Sequence, residues 1–145
     1  MAESTTFRSS ASMLSWDEDR SRTDLPRLTP ATVKMRLPEL SATVTSHYCM
    51  IYLPAGLHHE KDGNAEFTFS DFVEAEDFGG LSGSFIARGA GSFDTSRFLV
   101  EGQFDIVPGT ATGELADLFK NGGFGSFKSD EKEPSKVVYV FNTTT

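Results

Sequence analysis

Cysteine is almost absent. Cys49 stands alone, so no intrachain disulfide can form and no four-cysteine metal site can be built. Positive charge is scarce as well: 13 Lys and Arg face 21 Asp and Glu, for a formal charge of −8. A field of that sign repels a phosphate backbone, so nucleic acid is not expected as a partner. No apolar run is long enough for a membrane span, and the opening "MAESTTFRSS" lacks the apolar segment of a signal peptide. The expectation is a soluble, cytoplasmic protein, in which the sequon Asn142-Thr143-Thr144 goes unused. Adjacent histidines in "HHE", 58 to 60, point to opposite sides of an extended chain, and no GxGxxG opens a helix after a strand. Neither a metal nor any other cofactor is expected.

Long helical periodicities are also missing, and short strand-like segments fill their place. The 145 residues fit one domain, 1–145, with Phe unusually frequent at 13 copies. Stretches rich in Phe, Val, Ile, Tyr and Thr predict strands near 7–16, 31–37, 41–53, 64–77, 81–91, 96–107, 122–128 and 136–142. Prolines punctuate them. Pro26 and Pro30 bracket a polar connection, Pro38, Pro54 and Pro108 follow strands, and Pro134 precedes the last one. "TGELADLF", 112 to 119, predicts one or two helical turns, stopped by Asn121-Gly122-Gly123.

Gly-Ser-Phe occurs twice in "GLSGSFIARGAGSFD", 80 to 94, and again in "GGFGSF", 122 to 127. Glycine weakens a strand, but closing a sheet requires kinks, and a ring can occupy the space that a neighbouring glycine vacates. Eleven of the 13 glycines lie at or after Gly79. An all-β, antiparallel, eight-stranded closed barrel is therefore expected in preference to a sandwich.

Alternation groups Val44, Ser46, Tyr48, Met50 and Tyr52 on one face, with Thr43, Thr45, His47, Cys49 and Ile51 on the other. Phe67, Phe69, Asp71 and Val73 share a face, as do Phe98, Val100, Phe104 and Ile106. Which face lines the lumen stays open. As catalytic donors or acceptors the candidates are His47, Arg88, Asp71 and Gln103. A packed or exposed strand histidine, a solvated arginine and a turn-side aspartate are the plain alternatives. As substrate-contacting rings the candidates are Trp16, Tyr48, Tyr52, Phe67, Phe69 and Phe85, with Trp16 placed to cap a barrel mouth. Ordinary barrel packing is the plain alternative.

"SWDED", then "GLSGSFIARGAGSFD", then "VEGQFDIVPGTATGELADLFKNGGFGSF" and a closing apolar strand resemble a family of small, largely uncharacterised bacterial and fungal proteins. These look like relatives of the allene oxide cyclase barrel, within the calycin (lipocalin-like) architecture. The likeness runs from Ser15 to Phe141 and is strongest from Gly80 to Phe127. It implies an eight-stranded barrel with an apolar cavity. Its signature positions, Gly83, Gly91, Pro108, Gly109, Gly113, Glu114 and Leu115, read as turn and closure residues, and no catalytic residue is carried over.

Allene oxide cyclases fold a flexible reactive substrate in such a barrel. Some fungal barrels of this general kind are pericyclases, including hetero-Diels–Alder enzymes of terpenoid and polyketide pathways. The resulting expectation is a cofactor-free cyclase or isomerase of secondary metabolism, acting on a hydrophobic, terpenoid- or polyketide-like small molecule. Such chemistry requires a near-attack pose and a donor where charge gathers. The rival readings are a barrel that carries such a molecule unchanged and a filled structural barrel. A homodimer is compatible with each.

Overall fold

The computed structural model describes residues 5–19, 21, 27–53, 64–95, 97, 99–130, 132–133 and 136–144. Pro26, Pro54, Pro134, the "HHE" run and Phe98 lie outside the described residues. The chain forms one closed antiparallel barrel in which sequence neighbours pair throughout. Its strands are β1 (Thr6–Glu18), β2 (Arg27–Leu37), β3 (Ala42–Tyr52), β4 (Ala65–Phe78), β5 (Leu81–Asp94), β6 (Leu99–Ile106), β7 (Gly123–Ser129) and β8 (Val137–Thr143). A 3-10 turn spans Pro38–Leu40, and the only helix among the described residues, α1, covers Leu115–Leu118. No helix among them is long and apolar enough to cross a membrane.

Period-two burial is cleanest in β4, where Ala65, Phe67, Phe69, Asp71, Val73 and Ala75 are buried between exposed neighbours. Pro30 departs from expectation. It lies inside β2, opposite Cys49, at a point where the β1–β2 ladder has already ended. Its missing N–H therefore costs no ladder bond to β1, while its carbonyl accepts the Asp19 N–H at 3.0 Å.

The lumen is built from rows in which rings face glycines. One row runs Tyr48, Phe69, Gly89, Phe104, Gly125, Phe141 across β3 to β8. The next runs Met50, Phe67, Gly91, Gly102, Phe127, Tyr139. The fit is steric. A methyl at Gly102 would stand 2.4 Å from Phe127 Cζ, and one at Gly125 would stand 2.6 Å from Phe104 Cζ.

One end is sealed. Phe78, Phe85, Phe119 and Phe141 pack ring to ring with centroids 4.9–5.8 Å apart, and Leu115 of α1 is fully buried. The segment before α1 is tied to β5 by Thr112 N–H to Ser84 O and Glu114 N–H to Ser82 O, both 2.8 Å. The Glu114 carboxylate accepts from the Ser82 N–H and hydroxyl at 3.1 and 3.0 Å. Gly83 permits this approach, because a Cβ there would meet Thr112 O at 2.1 Å.

Gly102→Ala tests the ring-for-glycine exchange. The added methyl improves strand propensity by about 0.5–1 kcal/mol at most, whereas overpacking a buried ring costs about 1–3 kcal/mol. A lowered urea midpoint is expected, with partial recovery when Phe127→Leu is added. A neutral Gly102→Ala would show that the rings fill the lumen without needing the glycines.

Candidate functional site

Between the two aromatic rows and the sealed end lies a row of smaller residues: Val33, Ser46, Asp71, Ala87 and Ile106, in register across β2 to β6. Asp71 is 2% exposed, and its cross-strand neighbours Ser46 and Ala87 are small. Among the described residues, neither Asp71 Oδ1 nor Ser46 Oγ has a hydrogen-bond partner. Burial raises the Asp71 carboxyl from 3.8 to about 7, opposed only in part by the nearby Ser46 hydroxyl.

Two buried phenols, Tyr48 and Tyr139, are electrostatically coupled to Asp71. Burial, then the charge of Asp71, raises Tyr48 above its ordinary value. Tyr139 is raised well above its own by burial, then by Tyr48 and Asp71. Both are therefore neutral donors at physiological pH. Tyr139 donates to Met35 Sδ at 3.7 Å, a weak acceptor from which a better one would draw it.

The other end of the barrel carries a ring stack bordered by polar groups. Trp16, 38% exposed, stacks on Tyr48 with centroids 6.1 Å apart. Its indole N–H donates to Glu18 Oε1 at 3.3 Å. Glu18 Oε2 accepts from Thr29 Oγ1 at 2.6 Å and from the Tyr52 hydroxyl at 2.5 Å. The Arg27 guanidinium lies 4.0 Å over the Tyr52 ring. A polar cluster on β1, β2 and β3 thus borders the Trp16–Tyr48 stack.

The sequence candidates divide between the two sides of the sheet. Asp71, Tyr48, Phe67 and Phe69 come together inside, with Trp16 and Tyr52 at the mouth. Phe85 belongs to the sealed end instead. His47, Arg88 and Gln103 are on the exposed outer face. There His47, Ser70, Arg88 and Asp105 form a row across β3 to β6. Arg88 lies between two open grooves of about 690 and 680 Å³, with Gln103 in one and His47 in the other. A molecule in the lumen cannot touch these three side chains.

Ser46, Tyr139, Met35 and Glu18 were not sequence candidates. Ser46 was discoverable, since it shares the alternation face of Tyr48. Among the described residues, no group of three His, Cys, Asp or Glu side chains gathers to hold a metal ion.

A family model described as a protein of unknown function (DUF3224) matches residues 7–141, and the chain belongs to that family. No curated protein matches it.

The raised Asp71 predicts a pH-dependent stability. Well below pH 3.8, the carboxyl is largely neutral in folded and unfolded chains alike, so burial costs little. Between about 4 and 7 the unfolded chain releases the proton and the folded chain retains it, so stability falls as pH rises. A shift of this size corresponds to at most about 4 kcal/mol. Asp71→Asn removes the titration. Its stability relative to the native protein should rise by about 2–4 kcal/mol from pH 4.5 to pH 8 in urea denaturation. A constant difference across that range would mean that Asp71 titrates normally.

Proposed function

We propose that the barrel is a cofactor-free isomerase of a small apolar molecule bearing a carbonyl or enol oxygen. The substrate is bound past Trp16 against Asp71, Tyr48 and Tyr139. The supporting observation is Asp71 itself: a buried carboxyl with an unpartnered oxygen, raised to about 7, among rings and two neutral phenols. A group that exchanges its proton near neutral pH is matched to general acid–base work. The phenols supply donors to a developing oxyanion. Ring closure of a reactive terpenoid- or polyketide-like intermediate is the variant favoured by the likeness to allene oxide cyclase-like barrels and pericyclases. In that variant the aromatic walls hold the near-attack pose and the donors stabilise the oxygen.

A second reading, a filled structural barrel, is favoured by the mutual contact of Phe67, Phe69, Phe104 and Phe127, which leaves the aromatic rows filled by the protein's own rings.

Trp16 is the only tryptophan, so its emission reports on the mouth. Titration with apolar ketones and enones of varied length is expected to change that emission. β,γ-Unsaturated ketones are expected to become conjugated, as followed by ultraviolet absorbance. Asp71→Asn should bind comparably and lose roughly 100-fold or more in turnover, the usual share of a general acid–base group. Tyr48→Phe and Tyr139→Phe should each lose about 100-fold or less. Binding without conversion by any probe would favour a carrier. Graded losses at the tyrosines with Asp71→Asn nearly silent would favour ring closure over proton transfer. No emission change with any probe would remove the lumen as the site.

A further inference from the structure

β1 closes the barrel with two different halves. Thr6–Ala11 pairs with β8, and Ser12–Glu18 pairs with β2. Each half therefore has one edge without a strand beside it among the described residues. Beside the first half lies the 3-10 turn. Glu39 accepts from the Ser10 hydroxyl at 2.8 Å and the Ser10 N–H at 3.2 Å, while its own N–H donates to Ser9 Oγ at 3.3 Å. The second half has no such cover among the described residues. No strand among the described residues pairs with its far edge, and Met13, Leu14 and Trp16 are 57%, 59% and 38% exposed. Unprotected edges carrying apolar side chains are templates for another strand.

We propose that this edge, Ser12–Asp17, pairs antiparallel with the same edge of a second copy, making a two-fold dimer by sheet extension. Self-complementarity identifies the partner. The bulge between Met13 and Ser15 resets the alternation, so Met13 and Trp16 share the inner face while Ser12 and Asp17 share the outer. A two-fold axis between Leu14 and Ser15 sets Met13 opposite the second copy's Trp16, a thioether–aromatic contact made twice. It also sets Asp17 opposite the second copy's Ser12, whose neighbour on β2 is Arg36. Two strand spacings, roughly 10 Å, then separate the Asp17 and Arg36 backbones, within reach of an arginine side chain. Parallel pairing in register would instead set Asp17 beside Asp17. A six-residue ladder buries less than a standard interface, so the dimer should be reversible and concentration-dependent.

Sedimentation equilibrium over a wide concentration range tests this directly. The native chain should shift from monomer to dimer as concentration rises. Leu14→Lys, a solvent-exposed change expected to leave near-ultraviolet dichroism intact, should remain monomeric where the native chain is dimeric. Asp17→Arg should weaken the dimer at least several-fold, and Asp17→Arg with Arg36→Asp should restore it. A native chain that is monomeric at its solubility limit would overturn the proposal and leave the edge to another protein's strand. A dimer indifferent to Leu14→Lys would overturn it by placing the interface elsewhere. A double charge variant no tighter than Asp17→Arg alone would overturn the register.

Discussion

The interior of an eight-stranded barrel is just wide enough for side chains, and this chain fills it with more rings than a simple alternating pattern could hold. What makes the filling feasible is the cross-strand exchange of ring for glycine. Gly89 lies between Phe69 and Phe104, Gly125 between Phe104 and Phe141, and Gly91 with Gly102 between Phe67 and Phe127. The glycines both admit the rings and let β5, β6 and β7 curve. The rings in turn compensate for the packing the glycines lack. Closure, core and lumen shape all follow from this one steric arrangement.

A consequence is where chemistry can reside. Rings occupy the neighbouring rows and the sealed end, whereas Asp71 has the small residues Ser46 and Ala87 beside it across the sheet. A carboxyl there loses water on every side. With no Arg, Lys or completed hydrogen bond at Oδ1 among the described residues, it accommodates by holding its proton to about pH 7. An asparagine or serine would avoid the titration penalty in a merely structural barrel.

The sequence was legible where chemistry alternates with period two. In β4, Phe67, Phe69, Asp71 and Val73 share the buried face as expected, and in β3 the grouping of Ser46 with Tyr48 and Met50 is correct. The antiparallel barrel and the short helix near 112–119 were legible too, from turn spacing, glycine placement and a single helical stretch. The side of β5 and β6 that faces inward was not. There the inner positions include Gly89, Gly91 and Gly102, which carry no hydrophobic signal, while Ile86 and Phe124 are exposed on the outer face. Arg88 and Gln103 therefore could not be separated from Asp71 by alternation alone. Only the register, which sets Gly91 against Phe67 and Gly102 against Phe127, resolves them. The Pro30 boundary failed for a related reason: a proline excludes a ladder bond on one side only, and the chain places it where that side has no ladder.

The bulge in β1 links the two open features of the molecule. Without it, the alternation running from Ala11 through Met13 would turn Trp16 outward, off Tyr48, and away from the Glu18 cluster. With it, Trp16 lies over Tyr48 while Leu14, the extra residue, projects into solvent. The deformation that provides the mouth with its aromatic cover thus also leaves Met13 and Leu14 exposed along an unpaired edge. Any strand added to that edge would approach Trp16, and through its stack Tyr48. Assembly and lumen access would then be coupled through a single side chain. That coupling requires no long-range pathway, because Trp16 is both an edge residue and the stacking partner of Tyr48.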